Sequence, residues 1–116
     1  MTGEIDRFLD YLRYEKNAGA KTITSYGDDL RQFHCFLHDE LCDEDGGADG
    51  HPSTLEADLP ASGIRTDDIR AFVESCFDRG LRKSSISRKI ATLKSFFKYL
   101  YNHNLVPEDP ARVVSF

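Results

Sequence analysis

Between Arg79 and Pro107 the chain carries seven basic residues and no acidic one, although its formal net charge is -5. Most of these cations fall in one segment, Lys83–Asn102. At 100° per residue its apolar positions Ile86, Ile90, Leu93, Phe97 and Leu100 gather within about 80° of arc. The opposite side holds Ser84, Ser87, Arg88, Ala91, Lys94, Ser95 and Lys98. Small side chains along the middle of such a face let a helix backbone sit close to a groove. Hydroxyls donate to phosphate oxygens or base edges, and the flanking cations supply charge. Lys83 and Ser84 stand at the N-terminal turn, where free backbone N–H groups favour phosphate. A solvated helix face ordinarily mixes both signs of charge, whereas this one has no Asp or Glu in an acidic protein. The pattern points to contact with nucleic acid. A weaker set, Lys21, Thr22, Thr24 and Ser25, clusters at the start of an earlier helix. It suits a phosphate there, and equally an ordinary polar first turn.

The elements that must carry these residues follow from hydrophobic period. Ile5, Phe8, Leu9 and Leu12 predict a first helix over about 3–17, broken at Asn17-Ala18-Gly19. Ile23, Tyr26, Leu30, Phe33, Leu37 and Leu41 predict a second, with Gly19 at its N-cap. Residues 43–63 hold four glycines, two prolines and few apolar side chains, and are expected to form a long mobile acidic loop. Thr66 is the expected N-cap of a third helix, with Asp67 and Asp68 favourable at its positive end and Gly80 as its stop. The Lys83–Asn102 helix is the fourth. Pro107 and Pro110 end the regular pattern, and a short fifth turn fits around Ala111–Val114. With no segment of period two, the expected class is all-α, in one domain of 116 residues.

Several functions are disfavoured. No apolar run reaches the roughly 18 residues of a membrane span, and no signal-peptide pattern opens the chain, so a cytoplasmic protein without membrane partners is expected. Cys35, Cys42 and Cys76 are odd in number and irregularly spaced, which does not suit a disulfide framework. His34, Cys35, His38 and Cys42 have zinc-ligand chemistry but lack the paired spacing of a closed site, so no metal is expected. No cofactor or small-molecule substrate is implied.

Four segments together resemble one family. Glu4–Asn17, Lys21–Tyr26 followed by Asp29-Leu30, Ile64–Phe72, and Ser84–Leu100 with its Leu-x-Ser-Phe-Phe-x-Tyr-Leu core are similar, in order, to the helices of Xer-type tyrosine recombinases and phage integrases. Pro107–Ala111 resembles the exit toward their catalytic domain. The resemblance implies a SAM-like core-binding domain, a four-helix orthogonal bundle of two hairpins. It also implies that the second and fourth helices clamp double-stranded DNA beside other recombinase protomers. By position the DNA contacts become Lys21, Thr22, Thr24, Ser25, Ser84, Ser87, Arg88, Ala91 and Lys94, to which the N-terminal turn of the fourth helix adds Lys83. Two features depart from the family: Gly27, Asp28 and Asp29 follow Tyr26 where basic residues are usual, and the 43–63 loop is longer and more acidic. Both would suit a salt-adapted proteome. The family's catalytic Arg, Lys, His and Tyr set is not expected here, since no histidine is followed by Arg three residues later. Alone, this chain is expected not to cleave DNA. The competing readings are a stand-alone regulatory DNA binder and a protein–protein module using Val113, Val114 and Phe116.

Overall fold

The computed structural model describes residues 2–37 and 61–114. These contain four α-helices and no strand: α1 Thr2–Tyr14, α2 Ala20–Leu37, α3 Thr66–Asp78 and α4 Lys83–Asn102. α1 pairs with α2 and α3 with α4, and α4 also packs on α1 and α2. It is therefore the central element. The apolar stripes explain the order: Ile5, Phe8 and Leu12, Ile23, Leu30 and Phe33, Ile69, Phe72 and Cys76, and Ile86, Ile90, Leu93, Phe97 and Leu100 are all buried in one core. Gly27 lets α1 approach α2, because a Cβ there would meet Leu9 Cδ1 at 3.3 Å and Arg31 Nη1 at 3.1 Å.

Left-handed residues end three helices. Asn17 (φ 58°) follows α1, which ends at Tyr14 rather than at the expected residue 17. Gly80 (φ 80°) follows α3, where Gly80 N–H donates to Phe77 C=O (3.0 Å) and Leu81 N–H to Cys76 C=O (3.2 Å). That pair of bonds satisfies carbonyls the helix leaves open. Asn104 (φ 61°) does the same for α4 through Leu105 N–H to Leu100 C=O at 2.8 Å. At the start of α2, Gly19 C=O accepts from Ile23 N–H (3.0 Å), as its expected N-cap position requires.

The start of α3 differs from expectation. Thr66 is the first helical residue, and Arg65 stands at the N-cap with its backbone N–H donating to Asp68 Oδ2 (2.9 Å). The Thr66 hydroxyl donates instead to Pro110 C=O (2.8 Å), tying the C-terminal segment to α3. Residues 110–113 form turns rather than a fifth helix, and Val106, Ala111 and Val114 are buried against the bundle. The expected loop over 43–63 is shorter at its end, because Ala61–Gly63 form a 3-10 turn with Ala61 buried. The rest of that loop, with Leu41, His38 and Cys42, lies outside the described residues.

Candidate nucleic-acid interface

On α4, Lys83, Ser84, Ser87, Arg88, Ala91, Ser95 and Lys98 are exposed and Lys94 is half-buried. This face contains no acidic residue. Lys83, Lys94 and Lys98 have no acidic partner among the described residues. Arg82, the N-cap, makes no side-chain capping bond, so the first-turn N–H groups beside Lys83 are not capped by it. On α2, Lys21, Thr22 and Thr24 are exposed and Ser25 is half-buried. At 100° per residue Lys21, Ser25 and Gln32 share a stripe about 40° wide, and Thr24 lies roughly 60° beyond it on the flank of Asp28 and Arg31.

The two helices meet at a carboxylate. Asp29, only 1% exposed, accepts four hydrogen bonds. Arg88 takes it side-on, Nε to Oδ2 at 3.0 Å and Nη2 to Oδ1 at 2.8 Å. Lys89 Nζ donates to Oδ1 (2.9 Å) and to Gln32 Oε1 (2.8 Å), and the Thr92 hydroxyl donates to Oδ2 at 3.0 Å. Lys89 and Thr92 are themselves buried. The buried arc of α4 is thus wider than its apolar stripe, extending toward α2 through Phe96, Lys89 and Thr92. Neither Lys89 nor Thr92 is apolar, so hydrophobic period could not find them; Asp29 beside Leu30 on a core-facing turn was the available signal. Direct contact joins Arg88 to α2, whereas no hydrogen bond or ion pair among the described residues joins Lys21, Thr22, Thr24 or Ser25 to the α4 set.

The cluster alters the electrostatics of the face. Asp29 balances only one of Arg88 and Lys89, so the cluster keeps a net charge of +1, and among the described residues Lys83, Lys94 and Lys98 add cations with no acidic partner. Burial pushes the Asp29 carboxyl up, but the hydrogen bonds and charges of Arg88 and Lys89 outweigh burial and hold it below its ordinary value. Donating hydrogen bonds to the Asp29 carboxylate raises the Arg88 guanidinium above its ordinary value. A carboxyl depressed on folding contributes stability that is present above its unfolded pKa of about 4 and is lost as pH falls through the folded value. Between about pH 5 and pH 2 the melting temperature of the wild type is therefore expected to fall more steeply than that of Asp29→Asn. Parallel curves from thermal melts would show that Asp29 contributes no such linkage.

The tyrosines form a different feature. Tyr11, Tyr26 and Tyr99 pack around Phe8, with ring centroids 6.3, 6.1 and 5.5 Å from it. Val114 is buried and Val113 is 57% exposed, while Phe116 lies outside the described residues, so the apolar patch expected of a protein-binding module has one exposed described member. Among the described residues no group of histidine, cysteine and carboxylate side chains could hold a metal ion. No helix among them is long and apolar enough to cross a membrane.

The all-helical fold of the described residues agrees with the family to which the sequence is similar. The chain belongs to the family of phage integrase N-terminal SAM-like domains, whose family model matches residues 5–46 and 55–104. It is similar to the tyrosine recombinase XerC of Chlorobaculum tepidum, 33% identical over 110 residues that make up 95% of this chain and 30% of that protein. XerC of Bacillus pumilus is 31% identical over 108 residues, 93% of this chain and 30% of the relative. XerC of Bacillus subtilis is 31% identical over 107 residues, 92% of this chain and again 30% of the relative. The chain therefore spans about a third of the length of these relatives. No solved structure matches it significantly.

Proposed function

We propose that this chain is the DNA-gripping domain of a site-specific tyrosine recombinase, acting in DNA integration or recombination. It holds duplex DNA with the exposed face of α4, assisted by the first turn of α2. Strand cleavage depends on a catalytic set that these 116 residues do not contain. The partners are double-stranded DNA and, in the assembled recombinase, other protomers. The observation that carries the reading is the exposed α4 face: Lys83, Lys94 and Lys98, without acidic partners among the described residues, around Ser84, Ser87 and Ala91, in a chain of net charge -5. With that net charge opposing approach at long range, affinity must come from a local face.

Each phosphate-contacting cation releases about one counterion, a logarithmic salt slope near -0.9 per contact. Lys94→Ala is expected to weaken duplex binding and flatten the slope by about one unit, read by fluorescence anisotropy across a salt series. Ala91→Glu adds bulk and negative charge at the centre of the face without touching the core, and should weaken binding further. Wild-type affinity in both variants would mean that this face is merely solvated.

A further inference from the structure

Asp29 grips Arg88 by one edge only. The Nε and Nη2 contacts, 3.0 and 2.8 Å, occupy the side-on edge of the guanidinium. The end-on edge, formed by Nη1 and the second hydrogen of Nη2, makes no hydrogen bond among the described residues, and the side chain is 48% exposed. The carboxylate cannot itself reach a ligand, being 1% exposed and held from behind by Lys89 and Thr92. Arg88 lies on the α2-side margin of the α4 face, one turn from Ser84 and from Ala91. A planar fork presents two rigid bidentate edges at once, whereas an ammonium offers single-point contacts at the end of a flexible stem.

We propose that Asp29 is a positioning residue for DNA binding: it never touches the duplex, but fixes the Arg88 guanidinium so that its end-on edge meets a phosphate beside α4. This rests on the reading that α4 faces DNA. Immobilising a long side chain on binding costs roughly two- to tenfold in affinity, and a side chain already fixed in the free protein avoids that cost.

A pure charge account predicts the opposite sign, since removing a carboxylate near a DNA-binding face strengthens binding. The test is a double-mutant cycle on the Kd for a labelled duplex of mixed sequence, with circular dichroism giving the folded fraction of each variant. The ratio of Kd for Asp29→Asn over wild type is expected to exceed, by about three- to tenfold, the same ratio measured in an Arg88→Ala background. Equal ratios would overturn the proposal, because the through-space effect of the lost charge cancels in the cycle. Arg88→Lys keeps both charges and does not depend on Asp29→Asn folding. It is expected to bind more weakly than wild type, since an ammonium on a flexible stem has no second rigid edge to present to a phosphate while it holds Asp29. Wild-type binding by Arg88→Lys would overturn the proposal. Wild-type binding by Arg88→Ala, with Lys94→Ala weakened, would overturn the positioning role and leave the interface standing. Absence of duplex binding by the wild type would remove the interface reading and this proposal with it.

Discussion

Asp29→Ala is expected to lower the free energy of unfolding by about 3–5 kcal/mol, a large share of the stability of a domain this size. The effect comes from what is left behind rather than from the bonds removed. The Lys89 side chain is 5% exposed and its ammonium lies 2.9 Å from the carboxylate. Without Asp29 its one remaining acceptor among the described residues is the neutral Gln32 oxygen, and a buried charge without a counter-ion is far costlier than a broken surface pair. Arg88, half-exposed, turns to water and adds little. Urea denaturation with an unchanged m-value checks the figure, and a loss below about 1 kcal/mol would mean that Lys89 escapes to solvent. Coupling gives a second check. Lys89→Met added to Asp29→Leu is expected to restore most of the loss, because a buried ion pair exchanged for apolar side chains is often neutral or stabilising.

Phe8→Ala is expected to cost a similar 3–5 kcal/mol, by a different route. Phe8 is 1% exposed, and its ring lies 5.5 Å from Phe96 and from Tyr99 on α4 and 6.1 Å from Tyr26 on α2. One side chain of α1 thus packs against both helices that carry the candidate interface. Truncation removes the transfer energy of the ring and leaves a void that three rigid aromatic neighbours cannot collapse to fill. Tyr14→Ala on the same helix is the control. Tyr14 is 75% exposed, and its loss should change stability by no more than about 0.5 kcal/mol. Equal effects of the two substitutions in thermal or urea unfolding would contradict the packing described.

Helix identity was legible in the chain because it rests on local period. The Lys83–Asn102 helix was expected and observed over the same residues, and its apolar stripe Ile86, Ile90, Leu93, Phe97 and Leu100 is buried. The exposed set Ser84, Ser87, Ala91 and Lys98 follows from the same geometry, since residues opposite a buried stripe must face out. Gly80 could be assigned as the stop of α3 from residue type alone, because only a residue tolerant of positive φ closes that turn at low cost.

Partners of polar side chains were decided by tertiary structure. In the sequence Arg88 reads as one more cation on a basic face, and Asp29 as an acid where the family usually has basic residues. They are 59 residues apart in sequence and joined by two hydrogen bonds. Lys89 and Thr92 reach the same carboxylate across 60 and 63 residues, and the Thr66 hydroxyl finds Pro110 across 44 rather than capping its own helix. Hydrophobic period reports which side of a helix avoids water, but a charged side chain is buried only when its counter-charge arrives from another element, and that depends on how the helices pack.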